Sequence, residues 1–303
     1  MPMKILLLGK DGQIGWELQR SLSIFGDVIS LGHAEADFEN LDNLRRLVRQ
    51  SQPKVIVNAA AYTAVDKAET EFQKAFLVNA KAVEVLCEET RKLNSWLVHY
   101  STDYVFDGTK NEAYLETDHP NPLNVYGKSK FTGEKAIQDS ECRHFIFRSS
   151  WIYSLRGGNF PLAILRRAQY LEQFDVVADC LGAPTSASLV SHVTAMVLYR
   201  IMIDPKKWQE SSGIYHLSAD GSTSWYDYAQ FIISLALKRG FPIKAVPNRI
   251  FPVSIEKLIN LASRPKNSRL STKKLCNHFG LVMPDWRIHV EKFIEELSIA
   301  KPL

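Results

Sequence analysis

Three glycines spaced Gly9-x-x-Gly12-x-x-Gly15 follow directly on the apolar run at residues 4–8 and open an amphipathic stretch that starts at Gln13. A strand that turns at once into a helix gathers backbone N–H groups and the positive end of the helix dipole at one point. Glycines at that turn leave no Cβ in the way of an approaching pyrophosphate. Glycines also suit an ordinary strand-to-helix turn, but a place at the first strand–helix junction of an alternating chain favours the dinucleotide reading.

The alternation is clear through the first half. Short apolar runs at residues 4–8, 27–31, 54–58, 96–101 and 143–149 read as strands, separated by helical periodicity at 13–25, 41–50, 71–94 and 124–138. That rhythm predicts an α/β fold, a Rossmann-like doubly wound parallel sheet with helices on both faces and right-handed crossovers. After Trp151 the pattern loosens, with a Gly157-Gly158 break, helices expected at 159–171, 189–203 and 225–238, and short strands at 174–178 and 214–218. Prolines 242, 247, 252, 265 and 284 then mark loops between short elements. Residues 1–150 are expected to form a dinucleotide-binding domain and 151–303 a smaller mixed α/β substrate-binding lobe, with segments that exchange between the two.

Composition narrows the partners. The net charge of +4 comes from 37 basic and 33 acidic residues without long Lys/Arg runs, which argues against nucleic-acid or membrane-surface binding. Cys87, Cys142, Cys180 and Cys276 form no Cys-x-x-Cys pair, and the histidines no His-x-x-x-His, so neither a disulfide framework nor a metal site is expected. No run approaches the ~20 apolar residues of a membrane span, and the chain is expected to be cytoplasmic, a monomer or weak homodimer.

The chemistry points to Tyr126 and Lys130, four residues apart and therefore on one face if the segment is helical. A lysine ammonium close to the phenol is expected to draw the tyrosine pKa down toward working pH, where it can exchange a proton with a substrate oxygen. Thr102, at the carboxyl end of the fourth strand, is the natural third member, its hydroxyl holding the same oxygen. No acid follows Leu31, where Gly32 and His33 stand, so NADPH is expected to be tolerated alongside NADH, with a preference for NADPH left open. Asp37 and Phe38 are candidates for the neighbourhood of the adenine.

Six segments carry a family resemblance: residues 9–15 (GKDGQIG), 57–66 (VNAAAYTAVD), 101–106 (STDYVF), 126–130 (YGKSK), 182–185 (GAPT) and 263–270 (SRPKNSRL). On these the chain resembles the extended short-chain dehydrogenase/reductases, and among them the dTDP-4-dehydrorhamnose reductases, over nearly its whole length. The resemblance implies that Thr102, Tyr126 and Lys130 are the catalytic trio and that Tyr126 and Lys130 also meet the cofactor. It implies that the turn at Gly9, Gly12, Gln13, Ile14 and Gly15 takes the pyrophosphate, and that Ala61, Tyr62 and Thr63 line the cofactor. Thr102, Asp103 and Trp151 would contact substrate, with Arg264 reaching its diphosphate.

The implied reaction is reduction of the C4 keto group of dTDP-4-dehydro-L-rhamnose by NADPH or NADH, giving dTDP-L-rhamnose for cell-envelope polysaccharide such as lipopolysaccharide. Two departures stand out: Cys180 where the family usually carries glutamine, and Ala187-Ser188-Leu189 where some members carry a glutamate that bridges a dimer through Mg²⁺, so no such Mg²⁺ is expected. C4 epimerases and dehydratases place Asp-Glu after the threonine, whereas Asp103-Tyr104 stands here. A non-catalytic regulatory subunit on the same scaffold, similar to that of methionine adenosyltransferase, is the rival from another class.

Overall fold

The structure, a computed structural model, describes residues 3–208, 210–257 and 262–300. Six strands make the main sheet: β1 (Met3–Leu8), β2 (Gly26–Leu31), β3 (Val55–Asn58), β4 (Trp96–Thr102), β5 (Arg143–Ser149) and β6 (Gly213–His216). They lie side by side in the order β2-β1-β3-β4-β5-β6, and every pairing is parallel. The longer helices are α1 (Gln13–Leu22), α2 (Leu41–Ser51), α3 (Ala82–Lys92), α4 (Val125–Asp139), α5 (Phe160–Tyr170), α6 (Ala187–Ile203), α7 (Trp225–Lys238) and α8 (Trp286–Ala300).

Side-chain alternation explains why helices are needed on both faces. Ile5 and Leu7 of β1 join Val55, Val57, Val98 and Phe147 in one core, where α1 and α6 bring Leu18, Leu22, Val190 and Val193. Leu6 and Leu8 point the other way, joining Ile56, Leu97 and Ile146 under Leu44 and Val48 of α2, Val83 and Leu86 of α3, and Ile137 of α4. Both faces of each central strand are thus apolar, as a parallel sheet requires. The strand order reverses between β1 and β3, and open sheets of this type bind ligands at that switch point, outside the carboxyl ends of the strands.

Four differences from the sequence reading have physical causes. The helix expected at 71–94 is interrupted by a π turn at Leu77–Lys81, between Phe72–Phe76 and α3. That turn holds Asn79 so that its amide donates to Tyr62 O (3.0 Å) and Ser129 Oγ (3.0 Å) and accepts from Tyr62 N (2.9 Å). Helix α8 follows Pro284 where only loops and short elements were expected. Trp286, Val290, Phe293 and Ile294 recur on one helical face and are buried. The strand expected at 214–218 is β6, which crosses back to pair with β5, while three short two-strand ribbons join other parts of the second half. Finally, α1 ends at Leu22 because residues 23–25 turn into β2, Phe25 N donating to Leu22 O.

Candidate active site

Backbone geometry at the first turn leaves room for nothing larger than hydrogen at two glycines. Gly9 sits at φ +83°, and a Cβ there would stand 2.6 Å from Ala60 N; a Cβ on Gly15 would stand 2.0 Å from Gly9 O. Gly12 caps α1 with no side chain folded back on the helix, so the first N–H groups of the helix face the cleft. Gly15→Ala is therefore expected to wedge the turn open, weakening pyridine-dinucleotide binding at least tenfold and lowering the melting temperature. Cofactor titration by fluorescence alongside thermal denaturation checks both effects. Gln13 ties the turn to the second half of the chain, its Oε1 accepting from Asn159 Nδ2 (3.0 Å) and Ser154 Oγ (3.2 Å).

A cleft of about 1000 Å³ opens beside this turn. Its walls carry Gly12, Gln13 and Ile14 from the turn, Ala61 and Thr63 from the segment after β3, and Thr102, Asp103, Tyr126, Lys130, Trp151 and Arg264. An adjoining pocket of about 280 Å³ is lined by Gly9, Asp37, Phe38, Ala61 and Tyr62. Gly15 lies beneath the turn as a packing residue. One expectation needs correcting: acids do stand at the end of β2, although none follows Leu31 in sequence. Glu35 turns back to accept from Gly32 N (2.9 Å) while paired with Lys10, and a Cβ on Gly32 would meet the Asp11 carboxylate at 1.9 Å.

The trio is positioned by α4 and the end of β4. Asn124 caps α4, its Oδ1 accepting from Gly127 N (2.8 Å) and its Nδ2 donating to Ser263 O (2.7 Å). Gly127 lets the helix approach Tyr104 O, where a Cβ would stand 2.2 Å away. Tyr126 and Lys130 then face one cleft, which Thr102 also lines.

The electrostatics differ from the expectation for Tyr126. Burial of its phenol end pushes the pKa up to about 12, with the Thr102 hydroxyl pulling weakly the other way, and the Lys130 amine does not offset this. Lys130 instead turns inward: Nζ donates to Tyr100 O (2.6 Å) and meets His99 Nε2 at 3.1 Å. Burial draws Lys130 down to about 8. Asp103 is pushed up to about 6 by burial, and its Oδ1 accepts from Thr102 Oγ1 (3.0 Å).

Trp151 occupies the left-handed region at φ +48°, a strained place for a bulky side chain. Its carbonyl is held by Thr185 N (3.2 Å), and its indole lies so close to Gly182 that a Cβ there would be 2.5 Å away. Arg264 lies at the cleft rim with a partner within the chain, its Nη2 donating to both Asp66 oxygens at 2.8 and 3.0 Å.

Several site residues escaped the sequence reading. Asn58 and His99, which touch one another at 3.1 Å, sit behind Lys130. Glu134, one turn beyond Lys130, is buried in a two-bond pair with Arg148 of β5 at 2.9 and 2.6 Å. The available signal was polar residues set inside otherwise apolar strands, at the end of β3 and within β4 and β5.

A family model described as RmlD substrate binding domain matches residues 3–299. The dTDP-4-dehydrorhamnose reductase of Escherichia coli (strain K12) is 44% identical, the match covering 97% of this chain and 98% of that protein. A crystal structure of dTDP-4-dehydrorhamnose reductase from Bacillus anthracis in complex with NADP is 33% identical with a TM-score of 0.86, covering 98% of this chain and all of that one (100%). The fold is shared more widely. A UDP-glucose 4-epimerase of Thermus thermophilus, solved with NAD, superposes with a TM-score of 0.79 at 18% identity over 99% of this chain and 100% of that one.

Proposed function

The chain belongs to the family described as RmlD substrate binding domain, and from that premise we propose that it is an NAD(P)H-dependent dTDP-4-dehydrorhamnose reductase. The observation that carries the reading is the meeting of Thr102, Tyr126 and Lys130 in one cleft with the glycine turn, at the carboxyl ends of parallel strands. The residues fit a pyridine dinucleotide: two glycines whose Cβ atoms would close the turn, free N–H groups at the start of α1, and a lysine on the cleft wall. When bound, the reduced nicotinamide supplies the hydride for C4 of the 4-keto sugar.

The chain's own residues do the rest. Thr102 and Tyr126 grip the keto oxygen, and Tyr126 gives it a proton as negative charge develops there. A phenol kept protonated by burial is a donor rather than a base, which suits the reducing direction. Trp151 packs on the sugar or base, and Arg264 exchanges Asp66 for the substrate's diphosphate. Asp37 and Phe38 flank the adenine. Residues 1–150 carry the cofactor and the groups that grip the keto oxygen, and 151–303 form the substrate-binding lobe with Trp151 and Arg264.

All members of the trio come from one chain, which supports action as a monomer or weak homodimer. Four free cysteines suit the cytoplasm, and no helix among the described residues is long and apolar enough to cross a membrane. The pure protein is expected to consume NADPH or NADH only when dTDP-4-dehydro-L-rhamnose is added, and to yield dTDP-L-rhamnose, followed by reduced-nicotinamide absorbance and product chromatography. Cofactor binding without turnover would instead favour the regulatory-subunit reading.

A further inference from the structure

Behind the cleft, three side chains leave room for fewer protons than their usual forms carry. Asn58 Oδ1 accepts from Ala60 N at 3.1 Å, which turns the Nδ2 of the same amide to His99 Nδ1, also at 3.1 Å. An amide nitrogen only donates, so Nδ1 accepts and the imidazole's one proton sits on Nε2. That Nε2–H points at Lys130 Nζ, 3.1 Å away. An ammonium there would set donor against donor, whereas a free amine accepts the bond. Inverting the Asn58 amide moves the conflict to the Ala60 N–H without removing it.

The surroundings push the same way. His99 and Lys130 are almost fully buried. Burial, then Lys130 and His144, holds His99 well below the ordinary histidine range. Burial also draws Lys130 down to about 8, and Glu134, which opposes this, is already paired with Arg148. On the cleft side Lys130 shares its helix face with Tyr126, beyond which lies Asp103.

Resting on the reading that this cleft takes a reduced pyridine dinucleotide, we propose that His99 is a positioning residue that favours the uncharged amine of Lys130 in the free protein, so that cofactor binding draws protons from solvent onto it. Ribose hydroxyls offer acceptors, and a pyrophosphate brings negative charge. Both favour the ammonium, which gives up His99 as a partner. The balance is one proton from buffer to Lys130 Nζ, with no bond broken in the cofactor. Above about pH 8 the site is thus charged mainly when loaded, and the cation reaches the cleft with the dinucleotide.

Calorimetric titration with NADH, which lacks a 2′-phosphate that titrates near neutrality, tests this in buffers of different ionisation enthalpy. The dependence of heat on buffer counts protons. Wild-type protein is expected to take up a fraction of a proton at about pH 7, rising to about one per site by about pH 9. His99→Leu, with no donor facing the amine, should displace that curve upward by about one pH unit, the worth of one hydrogen bond. His99→Gln, which can donate to Lys130 and accept from Asn58, should restore it, and Tyr126→Phe should leave uptake in place.

Wild-type binding with buffer-independent heat across the range would overturn the proposal, even if the His99 variants fail to fold. So would a His99→Leu curve that coincides with wild type. Failure to bind either NADH or NADPH would remove the reductase reading, and this proposal with it.

Discussion

Tyr126→Phe is expected to lower kcat by about a thousandfold while cofactor affinity stays within about threefold of wild type. The change removes one oxygen and no ring. The aromatic edge contact with Tyr104, at 5.9 Å between centroids and 75° between planes, is kept, and so is the helix cap at Asn124. What goes is the hydroxyl that shares the cleft with Thr102, and with it the proton destined for the substrate oxygen. Thr102 then faces the developing alkoxide alone, and its hydroxyl is shared with Asp103. Steady-state kinetics with either reduced cofactor check the result, and a kcat within tenfold of wild type would place the proton donor elsewhere.

Arg148→Met is expected to cost about 3–5 kcal/mol of stability and to lower the melting temperature by roughly 10 °C. Arg148 is 1% exposed and Glu134 0%, so removing the guanidinium strands a carboxylate in the protein interior. The loss comes mainly from that stranded charge, because the pair itself repays a large desolvation cost. Arg148→Met combined with Glu134→Leu should therefore recover most of the stability, a non-additivity that a double-mutant cycle reads directly. Equal losses for the single and double variants would mean that packing on Phe106, 5.1 Å from the guanidinium, matters more than charge.

Much of the fold was legible because its causes are local. The five strands of the first half announce themselves as apolar runs, and the Gly9–Gly15 spacing announces the turn that follows β1. Tyr126 and Lys130 share a cleft wall because residues four apart share a helix face. What stayed hidden is decided by partners distant in sequence. Nothing in a strand reading His99-Tyr100-Ser101 says that the imidazole will meet a lysine from α4, or that this lysine will also donate to the Tyr100 carbonyl.

The acids at the end of β2 were missed for the same reason, since Asp11 arrives from the glycine turn and Glu35 by folding back. Helix α8 is different. Its pattern of Trp286, Val290, Phe293 and Ile294 was present in the sequence, and the prolines before it drew the eye to loops.

The return of β6 to the main sheet has a consequence for how the protein is made. During synthesis the outer edge of β5 has no neighbour until the much later segment Gly213–His216 leaves the ribosome, so a nascent chain carries an open, apolar strand edge through the making of α5 and α6. Ribosome stalling or chain truncation in that interval would release a half-built sheet with a sticky border, the species on which chaperone dependence and inclusion-body formation should turn.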